Sequence, residues 1–327
     1  MGQGVLMGEP HIVSVEEIRE AAERIRGVAT RTPLLRWDDT TWLKPESLQP
    51  IGAFKMRGAY NKIASLSDEE RGRGVVTYSS GNHAQAVARA ARLLGTHAVI
   101  CMPREAPAVK IEGVRRDGAE IQFTGMDSAE RHALALQLVE ERGLVMVEPY
   151  DDAAIIAGQG TCGLEIVEDL PEVTSVLVPV SGGGLSAGVA TAVKALAPSA
   201  RVVGVEPEFA ADAMESLESG RLVAWTAEQT GRTMADGLRT NSLGRLPFEH
   251  LRRFLDGIVT VSEDEIADAV RQLARRARLV VEPSGAASMA AHLNDRLPRT
   301  DDDVARVIVI SGGNVDPDLY LRLLSGG

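Results

Sequence analysis

The sequence predicts an α/β protein of two lobes, each a twisted, mostly parallel sheet flanked by helices. Three observations carry this. From Val75 onward, short β-branched runs alternate with amphipathic segments at the spacing of βαβ units. The alternation starts again after residue 152, which implies a second sheet. The chain of 327 residues is long enough to enclose two cores.

In chain order, Val15, Ile18, Ala22 and Ile25 recur with a helical period. Ser14 and Glu17 form a capping box in front of them, so an outer helix is expected over residues 14–26. Strands are expected at Val75–Tyr78, Ala98–Met102, Glu120–Thr124 and Leu144–Val147, with helices at Asn82–Leu94, Pro107–Asp117 and Ser128–Arg142 between them. A helix running to Asp169 opens the second series. It continues with strand Ser175–Val180, helix Leu185–Leu196, strand Arg201–Val205 and a last strand Val304–Ile310. Repeats, low-complexity tracts and long linkers are absent from the sequence.

A formal charge of −11 disfavours nucleic acid or an anionic membrane as partner, because both would repel the chain on average. No apolar run has the length of a membrane span. The first ten residues lack the basic and apolar regions of a secretory signal, and Leu6 stands where myristoylation wants Ser or Thr, so a floppy leader is expected. Cys101 and Cys162 are too few for a disulfide framework or a zinc site, which suits a reducing cytoplasm.

The chain is organised around residues 44–60, KPESLQPIGAFKMRGAY. Lys55 lies between Phe54 and Met56, behind a Pro50/Gly52 turn and ahead of a helix-like run. Apolar walls and the positive end of a helix both disfavour an ammonium, so its amine is primed to lose a proton and form an imine. A surface lysine on a basic turn with Arg57 is the plainer alternative. The run Gly52–Ala59 resembles the Ser-Phe-Lys-x-Arg-Gly-Ala motif of the serine/threonine dehydratase and serine racemase family, fold-type II enzymes that use pyridoxal 5'-phosphate (PLP) and are similar to the tryptophan synthase β fold. The resemblance implies that Lys55 carries PLP and that Phe54 lines it. It also implies a small lobe, roughly 70–151, inserted into a large PLP-binding domain of residues 1–69 plus 152–327.

Further runs extend the resemblance. Ser79-Ser80-Gly81-Asn82-His83 follows a strand and opens a helix, where backbone N–H groups could hold an anion or simply cap the helix. The resemblance assigns Ser79, Gly81, Asn82 and His83 to the substrate carboxylate and the cofactor hydroxyl, with Asn82 the hydroxyl partner. Ser80 stands where racemases place an acid opposite the lysine, and this permits racemisation without requiring it. Arg131 falls where racemases place an arginine near the substrate carboxylate, though a charged helix face accounts for it equally. Tyr150, in Pro-Tyr-Asp-Asp, matches the dehydratases. The Ala157–Thr161 run is read as close packing.

The loop Ser181-Gly182-Gly183-Gly184-Leu185 lets backbone approach a phosphate at a helix start. Gly182, Gly184 and Ala187 also fit a dinucleotide fingerprint, with Glu206 as the ribose acid. That reading leaves Lys55, the Asn82 loop and the C-terminal Ser-Gly-Gly-Asn unused. By resemblance, Ser181–Leu185 hold the PLP phosphate, Glu282 lies beside the ring, Ser311 bonds the pyridine nitrogen and Asp236-Gly237 line the site. A neutral serine there weakens the electron sink and favours prompt loss of a β-leaving group. Metal-dependent members place Mg²⁺ or Ca²⁺ on ligands that map to Glu206, the Ala210 carbonyl and Asp212; solvated surface acids are the alternative.

Two departures stand out. Only Leu35–Leu43 separate Thr-Pro-Leu from Lys-Pro-Glu, fewer residues than is usual, so this edge is shortened or residues are missing. Ala53 replaces a serine near the phosphate. The chain ends soon after its last strand, so no C-terminal regulatory domain is expected. Together these point to a PLP-dependent ammonia-lyase acting on threonine or serine. Racemase and hydroxyaspartate dehydratase are the alternatives, a non-catalytic PLP sensor is a remote one, and a cytoplasmic homodimer or higher homo-oligomer is expected.

Overall fold

The computed structural model describes residues 10–326 except 80, 107, 126–127 and 301. Helix α1 (Val15–Arg24) opens with the Ser14/Glu17 capping box and buries Ile18 and Ala21. The edge that looked truncated holds two strands, β1 (Leu35–Arg36) and β2 (Thr41–Pro45), paired antiparallel with Leu35 opposite Leu43. Strand β2 takes its other neighbour from β10 near the C-terminus, a pairing no local pattern announces.

Helices α2 (Lys55–Ala64) and α3 (Asp68–Arg73) lead to β3 (Val75–Tyr78), α4 (Asn82–Leu93), β4 (Ala98–Pro103), α5 (Ala108–Arg116), β5 (Glu120–Thr124), α6 (Ser128–Arg142) and β6 (Val145–Met146). These four strands form one parallel sheet in the order β5-β4-β3-β6. The chain continues through α7 (Ala153–Asp169), β7 (Ser175–Pro179), α8 (Gly184–Leu196), β8 (Arg201–Pro207), α9 (Asp212–Ser219), α10 (Ala227–Thr230) and α11 (Arg245–Phe254). It ends with β9 (Gly257–Val261), α12 (Glu263–Gln272), α13 (Pro283–Leu293), β10 (Arg306–Ile310) and α14 (Pro317–Ser325). The second sheet has the order β1-β2-β10-β7-β8-β9, parallel apart from β1.

The β6 strand is shorter than the β-branched run Leu144–Val147, because Leu144 and Val147 turn into the core at either end. Strand β9 and helices α9–α13 lie in a stretch where the sequence reading named single runs only.

Three buried helices bring the two sheets together. A Cβ on Gly158 of α7 would stand 2.6 Å from Gly58 Cα of α2, and one on Gly188 of α8 would stand 2.5 Å from Gly160 N. Only glycine permits backbones this close, so the Ala157–Thr161 run packs helices as expected. Beneath α2 lies a buried ionic cluster. Arg57 donates to Glu46 through Nε (2.7 Å) and Nη2 (2.8 Å), and to Glu165 through Nη1 (2.6 Å) and Nη2 (2.8 Å). Lys44 Nζ completes it at 2.6 Å from Glu165 Oε2. Two cations face two anions, so the cluster is neutral as a unit while tying β2, α2 and α7 together.

In both sheets the functional loops leave the carboxyl ends of parallel strands, where strand polarity and helix N-termini gather unpaired N–H groups. The Ser79 loop follows β3, the glycine loop follows β7 and Ser311 follows β10.

Candidate active site

Lys55 is placed by the turn before it. Gly52 adopts φ +74°, and a Cβ there would fall 2.6 Å from Asn314 Oδ1, so the loop after β10 clamps this turn. Ala53 bridges to Gly312, and Phe54 N–H donates to the Ser311 carbonyl at 3.1 Å. The backbone just before Lys55 is thus tied to the loop of Ser311, although the two residues lie far apart in sequence.

The Lys55 amine starts α2, lies 5.2 Å from the Phe54 ring and donates to the Pro149 carbonyl at 2.6 Å. Burial pulls its pKa down to about 8. Next to that carbonyl, Tyr150 lies against the glycine loop: a Cβ on Gly182 would be 2.4 Å from Tyr150 Cδ1, and one on Gly184 would be 3.1 Å from Tyr150 Cα. Burial and the nearby Asp151 push the Tyr150 phenol up to about 12, so it stays a neutral donor.

The loop itself is built for close approach. Ser181 has φ +54° and Gly183 φ +90°, both left-handed. The Ser181 hydroxyl pairs with Thr240 Oγ1 at 2.7 Å, and Thr240 is a neighbour that sequence reasoning missed for want of any local signal. Helix α8 begins at Gly184 with no side-chain cap, and Leu185 is buried behind it, so the first N–H groups of the helix face outward as anion donors.

From the other sheet, Ser79 Oγ accepts the Gly81 N–H at 3.2 Å, and Asn82 opens α4. Asn82 Nδ2 donates to Glu282 Oε1 at 2.6 Å, and its Oδ1 accepts from Asn314 Nδ2 at 2.8 Å. His83 is buried against the Val147 carbonyl (3.1 Å); burial and the Lys55 charge lower its pKa to about 3, so the ring is neutral. Glu282 is 2% exposed, and burial, with Asp236 adding, pushes it up to about 7. Arg131 is half-buried in the first turn of α6, beside His132, whose ring lies tilted at 41° to that of Tyr78 at the end of β3, with centroids 4.5 Å apart. Ser80 lies outside the described residues.

The arrangement therefore brings Lys55, Phe54, Asn82, His83, Tyr150, Gly182–Gly184, Glu282 and Ser311 together between the two sheets. A PLP molecule fits this residue set. Lys55 would hold its aldehyde carbon and the uncapped α8 start its phosphate, while Ser311 and Glu282 would flank its ring. The glycine loop has no room for any side chain, only for backbone and what backbone binds.

Glu206 and Asp212 form a separate acidic pair. Glu206 is 1% exposed and accepts N–H groups of Met214 (2.9 Å) and Ala213 (3.3 Å). Burial and Asp212 raise its pKa well above the usual carboxylate range, and burial raises Asp212 to about 7. A buried acid turned toward Asp212 is not a ribose ligand, which removes the support for a dinucleotide reading. Both Asp212 carboxylate oxygens are buried without a hydrogen-bond partner among the described residues, and Ala210 is buried beside them. Orphaned carboxylate oxygens fit a hard cation completed by backbone carbonyl and water. Among the described residues no group of three His, Cys, Asp or Glu could hold a metal, so protein side chains would supply at most two ligands.

Comparison with known proteins agrees with this geometry. Residues 25–313 match the family described as pyridoxal-phosphate dependent enzyme. The chain is 44% identical over 323 residues to L-threonine ammonia-lyase of Thermotoga maritima, covering 97% of this chain and 79% of that one. It is 40% identical to serine racemase of Oryza sativa, covering 94% and 92%. A solved structure of maize serine racemase superposes with a TM-score of 0.88 at 37% identity, over 97% of this chain and 98% of that one. The chain therefore belongs to the pyridoxal-phosphate dependent enzymes of fold-type II, in the group of serine/threonine dehydratases and serine racemases.

Proposed function

We propose that this enzyme is an ammonia-lyase that converts a small β-hydroxy amino acid, threonine or serine by default, to a 2-oxo acid and ammonia. The observation that carries the reading is the Lys55 amine: its pKa is drawn down to about 8 by burial, and it donates to the Pro149 carbonyl, one residue from the Tyr150–glycine-loop contact, while the backbone of the preceding residue, Phe54, is bonded to Ser311. Likeness to L-threonine ammonia-lyase supports the choice of substrate.

When bound, PLP supplies an aldehyde to capture the substrate amine and a ring to draw electrons from Cα. The residues of this chain do the rest. The Ser79–His83 loop and Arg131 bind and orient the substrate carboxylate. Lys55, its amine drawn toward the neutral form by burial, takes the α-proton as general base. Neutral Tyr150 and neutral His83 add no positive charge that would compete with the Lys55 proton. The β-hydroxyl leaves as water with a proton that balances the one Lys55 has taken, and hydrolysis of the released enamine yields the oxo acid and ammonia. Racemisation is the second reading, supported by the 40% likeness to serine racemase.

We place the enzyme in the cytoplasm, as a homodimer or higher homo-oligomer with residues 70–151 as its smaller lobe. Both cysteines are free and buried, which agrees with a reducing compartment. No helix among the described residues is long and apolar enough to cross a membrane. Glu206, Asp212 and the Ala210 carbonyl are proposed to hold Mg²⁺ or Ca²⁺.

The test incubates PLP-loaded protein with threonine, serine and both 3-hydroxyaspartate diastereomers, and measures oxo acid and D-isomer. Oxo acid without D-isomer is the expected result, abolished in Lys55→Ala. D-isomer in excess of oxo acid would overturn it in favour of the racemase, and neither product would make the chain a non-catalytic PLP binder.

A further inference from the structure

Three polar contacts bridge the two sheets at the cleft, and they differ in depth. At the floor, Asn82 of α4 reaches Glu282 at 2.6 Å and Asn314 at 2.8 Å. At the rim, Lys110 of α5 pairs with Asp236, in the 3₁₀ turn Asp236–Leu238. The Asp236 side chain is 41% exposed, whereas Glu282 is 2% exposed, so the rim pair is the outermost of the three.

Both partners are anchored to the site. On one side, a Cβ on Gly81 would lie 3.8 Å from Lys110 Nζ, so the ammonium lies against the residue that precedes Asn82. On the other, Gly237 N–H donates to Ser284 Oγ at 2.8 Å, in the first turn of α13 directly after Glu282. The Lys110 residue is itself only 8% exposed and ends on a single carboxylate. A lysine so covered is held in place by its partner, and the partner belongs to the other sheet.

We propose that Lys110 and Asp236 form a charge latch across the mouth of the cleft, and that substrate reaches the Asn82 loop only while this pair is open. No motif in the sequence marks either residue for such a role, and the proposal holds whichever amino acid the enzyme consumes. A contact ion pair with one half-exposed partner is weak enough to open on the timescale of turnover and is weakened further by salt.

The test uses the PLP-loaded holoenzyme in two arms. The first needs no substrate: backbone hydrogen exchange is followed in α5 and residues 235–239 for wild type, Lys110→Met, Asp236→Asn and the swap Lys110→Asp/Asp236→Lys. Faster exchange in both single variants, three- to tenfold, with recovery in the swap, is expected. The second follows the change in cofactor absorbance on rapid mixing with threonine. The binding rate is expected to rise three- to tenfold in each single variant and to return within twofold in the swap. Raising salt from 0.05 to about 1 M should speed binding in wild type, because threonine is a neutral zwitterion, and leave Lys110→Met unchanged. A purely structural pair would not accelerate binding when broken. Unchanged exchange, or binding that is unchanged or slower in the single variants, overturns the latch. The salt series on unaltered protein decides the matter if a variant fails to fold. Absence of threonine turnover with the exchange arm intact would count against the proposed substrate and leave the latch standing.

Discussion

The buried cluster under α2 allows a quantitative test through Arg57→Leu. Arg57 is 0% exposed and satisfies both Glu46, also 0%, and Glu165 with four charge-assisted hydrogen bonds, besides contacts to Thr161 Oγ1 (3.0 Å) and the Thr30 carbonyl (3.2 Å). Leucine fills part of the volume but leaves two carboxylates facing one remaining cation, Lys44. Removing one partner of a buried ionic set costs about 3–5 kcal/mol, mostly from stranding the charge left behind. Unfolding entropy of roughly 2.1 cal/mol/K per residue gives about 0.7 kcal/mol/K for this chain, so about 4 kcal/mol lowers the melting temperature by about 6 °C. The pH dependence has a definite sign. In wild type, burial opposes the Glu46 charge, but Arg57 wins and holds its pKa below the ordinary value; the stability this supplies is present above about pH 4.5 and lost as pH falls through the folded pKa. In the variant, burial acts unopposed by Arg57, the Glu46 pKa rises, and the penalty is largest near neutrality and relieved as Glu46 protonates. The gap in melting temperature between the two proteins, measured by near-ultraviolet circular dichroism, should therefore shrink between pH 7 and about pH 5. A variant melting within 1 °C of wild type at pH 7, or a gap that widens on acidification, refutes the reasoning.

Other outcomes follow from the same geometry. After the cofactor is stripped, the rate of PLP attachment should rise about tenfold per pH unit up to about pH 8 and then level, because only the neutral Lys55 amine attacks; a rate still climbing from pH 9 to 10 would mean an ordinary lysine. Gly183→Ala puts a side chain at φ +90°, with its Cβ 2.7 Å from Pro247 Cβ, at a cost of about 1–3 kcal/mol; PLP affinity by equilibrium dialysis should fall about tenfold or more, and unchanged affinity would place the phosphate elsewhere. Millimolar Mg²⁺ or Ca²⁺ should raise the melting temperature of wild type and leave Asp212→Asn unmoved, since the asparagine removes the buried, unpartnered carboxylate; equal shifts in both proteins would dismiss the cation site.

Much of the fold was legible because the signals are local. The Ser14/Glu17 capping box, the period of α1 and the β-branched runs of β3, β4, β5, β7 and β10 each depend on neighbours within a few residues. The shortened edge was not legible, since β2 is a strand only because β10 lies beside it. Strand β9 escaped for a similar reason: Gly257–Val261 is half-buried along most of its length and takes its register from β8.

The residues at the cleft divide the same way. Lys55, the glycine loop and the Asn82 run announce themselves as short motifs, because imine chemistry and phosphate binding each need particular residues side by side in the chain. Sequence by itself determined the two parallel sheets and the family, and singled out Lys55 for the proposed role. Tertiary structure alone decided what surrounds them: Arg57 meets Glu165 across 108 positions, Asn82 meets Glu282 across 200, and Lys110 meets Asp236 across 126. Burial lowers the Lys55 pKa and raises that of Glu282, and burial and charge pairing are properties of distance in space, which no periodicity along the chain encodes.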